Sequence, residues 1–195
     1  MPVYARLAIP VLVLFAVVYF GTNWITSQRT GNYRLFFEWE LAIPFVPGMI
    51  YVYASLLVLL LLPALTLTRR QLPALARAML ATLFVASAIY LLLPAELGFE
   101  RPGYVAGYDV VYQALYSLEL PHNLVPSLHI ATSTLLIAAV LHNTSSRWIR
   151  LGLVLWCMLI CVSVLLVHQH HILDAISGLL LGIVNYRLVY LRAGR

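Results

Sequence analysis

Three clusters of polar and ionisable residues interrupt an otherwise apolar chain: Glu100-Arg101-Pro102, Pro126-Ser127-Leu128-His129, and His168-Gln169-His170-His171-Ile172-Leu173-Asp174. Within the third, His170 and Asp174 stand four residues apart, which on a helix stacks them on one face within hydrogen-bond reach. A carboxylate there fixes one imidazole nitrogen as donor and leaves the other as a nucleophile towards phosphorus. A transfer split into two steps needs a second acid and base, and His129 is the candidate: it protonates the departing oxygen and later deprotonates the incoming water or alcohol. Arg101 offers a planar fork for phosphate oxygens. The helix start at Ser127 adds backbone N–H groups and a hydroxyl, both suited to charge on equatorial oxygens.

The elements that must hold these groups are membrane helices. Of 195 residues, 63% are hydrophobic and 10% charged, against roughly 25% charged in soluble domains. A spanning helix needs about 20 apolar residues. Hydrophobic runs near 4–22, 41–66, 74–93, 126–142, 148–167 and 171–191 predict an all-α, polytopic protein. The expected fold is a six-transmembrane-helix bundle, a single domain over residues 1–195 with no room for a separate soluble module. Pro44, Pro47 and Pro63 suggest an interfacial start and a kink in the second run. Tyr4 to Phe20 reads as a retained first helix, because Gly21-Thr22-Asn23-Trp24 offers no small-x-small cleavage site.

Six crossings put both termini on one side. Arg6, Arg69, Arg70, Arg77, Arg147, Arg150, Arg187, Arg192 and Arg195 lie there, whereas Arg29, Arg34 and Arg101 lie opposite. The positive-inside rule then predicts cytoplasmic termini and three outward-facing clusters. All 7 acidic residues fall on the outward side. The net charge of +5 is entirely arginine and is an orientation and headgroup signal, with no nucleic acid implied.

Other residues carry blander readings. Cys157 and Cys161 are reduced packing thiols within one apolar run, and His122 and His142 are packing or interfacial groups. His171 competes with His170 as nucleophile but stands three residues from Asp174 instead of four. His168 is a candidate phosphate contact. Ser163, within a spanning helix, either bonds its own backbone or reaches the site. Tyr104, Tyr108, Tyr112 and Tyr116 recur every four residues and predict an amphipathic interfacial helix in the longest loop.

Pro126-Ser127-Leu128-His129 and His170-x-x-x-Asp174 resemble the second and third signature motifs of the type 2 phosphatidic acid phosphatase superfamily, with Ser163 matching the serine that opens the third. Leu128 in place of the usual glycine, the Gln169-His170-His171 run, and Ile43-Pro44-Phe45-Val46-Pro47 are similar to the inositolphosphotransferase branch, which includes inositol phosphorylceramide synthases. The resemblance covers about residues 38–183. It implies a six-helix bundle, a phosphohistidine on His170 oriented by Asp174, leaving-group protonation by His129, and no cofactor or metal. Two cationic phosphate ligands of the family are replaced, one by Pro94 and one by Val164. Arg101, His168 or Arg34 would have to fill the gap, or the substrate is a diester or a differently held phosphate.

The expected activity is that of an integral membrane lipid phosphate phosphatase or phosphotransferase with its site at the extracytoplasmic face. Phosphatidate, a polyprenyl diphosphate or a phospholipid headgroup would be the substrate. Water as acceptor makes it a phosphatase; a lipid or sugar alcohol makes it a transferase of the inositol phosphorylceramide synthase type. A reading of another class takes the His168–His171 cluster with Asp174 as a metal site of a transporter or membrane oxidase. The absence of lysine beside abundant arginine, alanine and leucine suggests a GC-rich bacterial source, and so a location in the inner membrane with the site facing the periplasm.

Overall fold

The structure is a computed structural model that describes residues 2–29 and 31–193. Among these residues there is no strand; a lone parallel bridge joins Tyr33 to Ala95. The chain runs through α1 (Pro2–Ser27), a 3-10 turn (Glu38–Ala42), a second (Pro47–Met49), then α2 (Ile50–Ala54), α3 (Leu56–Leu59) and α4 (Leu62–Thr66). There follow α5 (Gln71–Leu92), α6 (Asp109–Leu118), α7 (Leu128–His142), α8 (Arg147–Leu166) and α9 (Ile172–Asn185). A π turn (Tyr186–Tyr190) and α10 (Leu191–Ala193) complete the last helix.

Four helical stretches are long and apolar enough to cross a membrane: Val3–Ser27, Gln71–Leu92, Arg147–Leu166 and Ile172–Ala193. Two apolar helices are shorter, Pro47–Leu59 and Leu128–His142. Large apolar side chains face outward along the long helices, such as Val17 at 65%, Leu92 at 75% and Leu180 at 57% exposure. A soluble protein rarely exposes apolar surface on this scale, so these helices point to a membrane protein.

Two boundaries differ from expectation for physical reasons. Helix α1 continues to Ser27, because its polar residues turn inward: Thr22, Asn23 and Thr26 are buried and bonded. The second run is helical from Pro47, not residue 41. Pro44 and Pro47 force the residues before them, Ile43 and Val46, into extended backbone. The run is then broken near Ser55 and again near Leu61, and Pro63 withholds a helical N–H there. The Ser55 hydroxyl accepts the Trp156 indole N–H at 2.7 Å, tying the first break to α8.

Helix α1 packs on α5, and α7 packs on α5, α8 and most extensively α9. The α7–α9 contact is a backbone approach. A Cβ on Gly178 would lie 2.5 Å from the Ser127 carbonyl oxygen, and one on Gly182 would lie 2.6 Å from the Ala131 carbonyl oxygen. Small residues four apart allow membrane helices to meet this closely. Leu135, Leu136, Ala139 and Ile160 fill the core towards one end of the bundle, while Ile50, Tyr112, Ile130 and Val164 fill it towards the other.

Candidate active site

The close approach of α7 and α9 joins the second and third clusters. The Ser127 N–H donates to the Asp174 carbonyl at 2.9 Å, so the start of α7 is bonded to the first turn of α9. Asp174 is 1% exposed. Its Oδ2 faces His170 Nδ1 at 3.2 Å and accepts the His171 backbone N–H at 2.9 Å. With Nδ1 held on the carboxylate, His170 keeps Nε2 free, and its side chain lines a cavity of about 200 Å³. His129 lines the same cavity, and its Nε2 is buried without a protein partner. The three residues singled out for chemistry therefore form one unit: a carboxylate, an oriented imidazole, and a second imidazole across a cavity.

His171 is differently placed. Its ring lies between Phe36 and Phe99, with centroids at 4.3 and 4.4 Å. Its Nε2 accepts the Gly98 N–H at 3.1 Å, which requires that nitrogen to be unprotonated and assigns the proton of the neutral ring to Nδ1. Nδ1 sits 3.3 Å from Glu40 Oε2, an ion-pair distance without hydrogen-bond alignment. Glu40 is itself fully buried and accepts the Phe37 and Ile172 N–H groups, so it caps the start of α9. Burial holds the His171 pKa below the ordinary imidazole value, with Asp174 and Glu40 pulling the other way.

The expected phosphate ligands do not converge on the cavity. Arg101 donates to the Glu119 carbonyl at 2.6 Å and to Gln169 Oε1 at 3.1 Å, and it lies over the Tyr116 ring. Its Nε is buried without a partner. Burial lowers its pKa, while Glu119 opposes the shift. Ser127 caps α7 by accepting the Ile130 N–H at 3.4 Å. The Ser163 hydroxyl donates to its own helix at Ile160. His168 bonds the Ile43 carbonyl at 2.9 Å through Nε2 and stacks on Phe99 at 4.0 Å. It takes φ 55° in the left-handed region, where a non-glycine residue is strained, and thereby turns the chain from α8 into α9. Arg34 pairs with Glu38 at 2.7 Å. The cluster histidines point to separate partners, and no three His, Cys, Asp or Glu side chains converge as metal ligands among the described residues.

Among the cavity residues not singled out from the sequence are Tyr53 and Glu119. The Tyr53 ring stacks on His129 at 4.0 Å, and its hydroxyl donates to Glu119 Oε2 at 2.8 Å. Glu119 lines the cavity with both imidazoles. Burial raises its pKa above the usual carboxylate range, and Tyr53, His170 and Arg101 oppose that shift. The available signal was a lone carboxylate between Leu118 and Leu120. Asn123 anchors this segment: its amide donates to the Tyr19 carbonyl and Thr22 Oγ1 at 3.1 and 3.2 Å, and it accepts from Thr26. The inward polar face of α1 thus holds the loop that carries Glu119. Of the tyrosine repeat, Tyr112 and Tyr116 lie in a helix, α6, with Tyr112 fully buried, while Tyr108 stands at its N-cap and Tyr104 lies outside it.

Comparison with protein families matches residues 75–194 to the PAP2 superfamily, and the chain belongs to it. Members of this superfamily are phosphatases and phosphotransferases. The match takes in His129, His170 and Asp174 but begins after the Pro44–Pro47 segment. No curated protein and no solved structure matches the chain.

Proposed function

We propose that the protein is an integral membrane phosphatase or phosphotransferase that acts on a lipid phosphate through a phosphohistidine on His170. The observation that carries this reading is the His170–Asp174 contact at 3.2 Å beside a cavity shared with His129. His170 Nε2 attacks phosphorus, the P–O bond to the leaving group breaks, and His129 supplies the proton to the departing oxygen. Water or an alcohol then gives its proton to His129 and attacks phosphorus, so that an O–P bond forms as the P–N bond breaks and His170 is regenerated. Asp174 holds the tautomer throughout. The engaged Nε2 of His171 supports His170 as the nucleophile.

The bundle crosses the membrane six times in this reading, with α2–α4 and α7 as the two shorter crossings. Nine arginines against three support cytoplasmic termini and a site at the extracytoplasmic face, in a bacterium the periplasmic side of the inner membrane. Helix α7, with 15 residues, rises only about 22 Å at 1.5 Å per residue, which leaves its first turn below the headgroups. Leu128 and the Gln169-His170-His171 run support assignment to the inositolphosphotransferase-like branch.

The test is to incubate purified protein with labelled phosphatidate, polyprenyl diphosphate and phosphatidylinositol, with and without candidate alcohols. Acid-labile label on His170, absent from His170→Ala, is the expected result. Full activity in His170→Ala would contradict it.

A further inference from the structure

The cavity that holds the two imidazoles extends well beyond them. It runs between α1 and α3 and takes in Leu12, Phe15, Leu56, Leu57, Leu60 and Met79. A second cavity begins where it stops: Leu12, Leu60 and Met79 line both, and the second continues along α1 to Leu7 and Tyr4. The packing of the helices leaves this groove open. Helix α1 packs chiefly on α5, whereas α3 and α4 pack on α7, so two walls face each other across a floor of α5 and α7. Leu12 and Leu57 line the groove yet are 47% and 68% exposed, so its side opens outward, which in a bilayer means into hydrocarbon.

Polarity changes along the groove. The polar lining gathers around the imidazoles, whereas every side chain lining the second cavity except Tyr4 is apolar. The Tyr4 hydroxyl is already given to the Leu60 carbonyl, which ties α1 to the turn before α4. A cavity lined in this way offers water no partners and suits hydrocarbon. The second cavity is also the smaller, about 40 Å³ against about 200 Å³, so the groove tapers and takes one chain. Its wide part, from Tyr19 to Leu12 along α1, is about 10 Å long at 1.5 Å per residue. His129 and Thr132 stand one turn apart on α7 and both line the groove, so an alcohol protonated by His129 has its carbon chain directed into it. We propose that the groove between α1 and α3 binds one hydrocarbon chain of the substrate, which enters sideways from the bilayer between Leu12 and Leu57 and brings its phosphate against His170. This rests on the phosphohistidine chemistry of His170 and names how its lipid is held. Both walls precede residue 75, where the family match begins, while the three reacting side chains lie within it.

The experiment places the full chain in phosphatidylcholine vesicles with phosphorus-labelled decyl phosphate that carries a diazirine at the end of its chain. After illumination and digestion, crosslinks should fall within residues 4–15 and 56–60, with acid-labile label on His170. Leu12→Trp and Leu60→Trp, one on each wall, should each cut the groove crosslink at least tenfold. Val17→Trp, on the outward face of α1 at a position 65% exposed, should leave it intact. Decanol with the same diazirine and no phosphate should label the groove at least tenfold less, because nothing anchors it at His170. Equal labelling by the two probes would make the groove an ordinary lipid-facing surface and overturn the proposal. Crosslinks elsewhere, or groove crosslinks unchanged in both tryptophan variants, overturn it as well. Label on His170 without groove crosslinks removes the chain site and leaves the chemistry standing. Groove crosslinks from the phosphate probe alone, without label on His170, keep the chain site and remove the phosphohistidine reading.

Discussion

Gly178 lies directly against Ser127: a side-chain carbon at Gly178 would come within 2.5 Å of the Ser127 carbonyl oxygen. That oxygen accepts the Ala131 N–H in the first turn of α7, while the Ser127 N–H is bonded to the Asp174 carbonyl. One glycine therefore sets the separation of the helices that carry His129 and Asp174. Gly178→Val should force them apart, costing roughly 1–3 kcal/mol as an overpacked contact. Because misplacement near 1 Å costs about 100-fold in rate, activity should fall further than stability. Thermal melts in detergent read beside kcat check this; a stable variant with full activity would contradict it.

Asp174→Asn removes the charge that holds the His170 tautomer yet keeps the volume. By analogy with other carboxylate–imidazole pairs, kcat should drop by about 10³- to 10⁴-fold with KM little changed. Steady-state kinetics with the best lipid substrate would show it.

His171 predicts an acid limit on stability. Its folded pKa lies below the unfolded value of about 6.5, so the unfolded chain binds the proton more tightly. Stability is complete above that value and declines as pH falls towards the lower folded pKa. Protonating Nε2 also breaks the bond from Gly98. The groups facing the ring are Glu40, Asp174 and His170. Melting temperatures at pH 7.5 and 5.5 should differ, and His171→Phe should shrink the difference without abolishing it, since burial lowers His168 and His122 in the same direction.

Asn123→Ala should loosen the joint between α1 and the segment carrying Glu119. It removes a buried amide that bonds Tyr19, Thr22 and Thr26, leaving Thr22 and Thr26 only their own helix carbonyls. A loss of about 1–3 kcal/mol is expected, read as a lowered melting temperature.

The grouping of His170 with Asp174 was legible in the sequence because it is local, although His170 lies just before α9 and reaches Asp174 across the helix start instead of along a helical face. The helices were legible from their apolar runs. What escaped were contacts across long separations. Tyr53 and Glu119 are 66 residues apart, and Asn23 and Thr26 bind the 120–123 segment from 97 residues away. Polar residues at the end of α1 read as the end of a helix because nothing local reveals that they face inward. The partners of His168, Ile43 and Phe99, were hidden for the same reason, since they lie far off in sequence.

The central claim, that His170 carries the phosphoryl group, is tested most directly by trapping. A labelled aryl phosphate, whose leaving group departs without a proton, is mixed with His129→Ala, in which the second step alone then lacks its proton-transfer group, and the protein is digested to locate acid-labile label. Label on His170 at a higher level than in the wild type, and none in the His129→Ala, His170→Ala double variant, is the predicted result. Label on His171, or undiminished turnover by His170→Ala, would contradict the account.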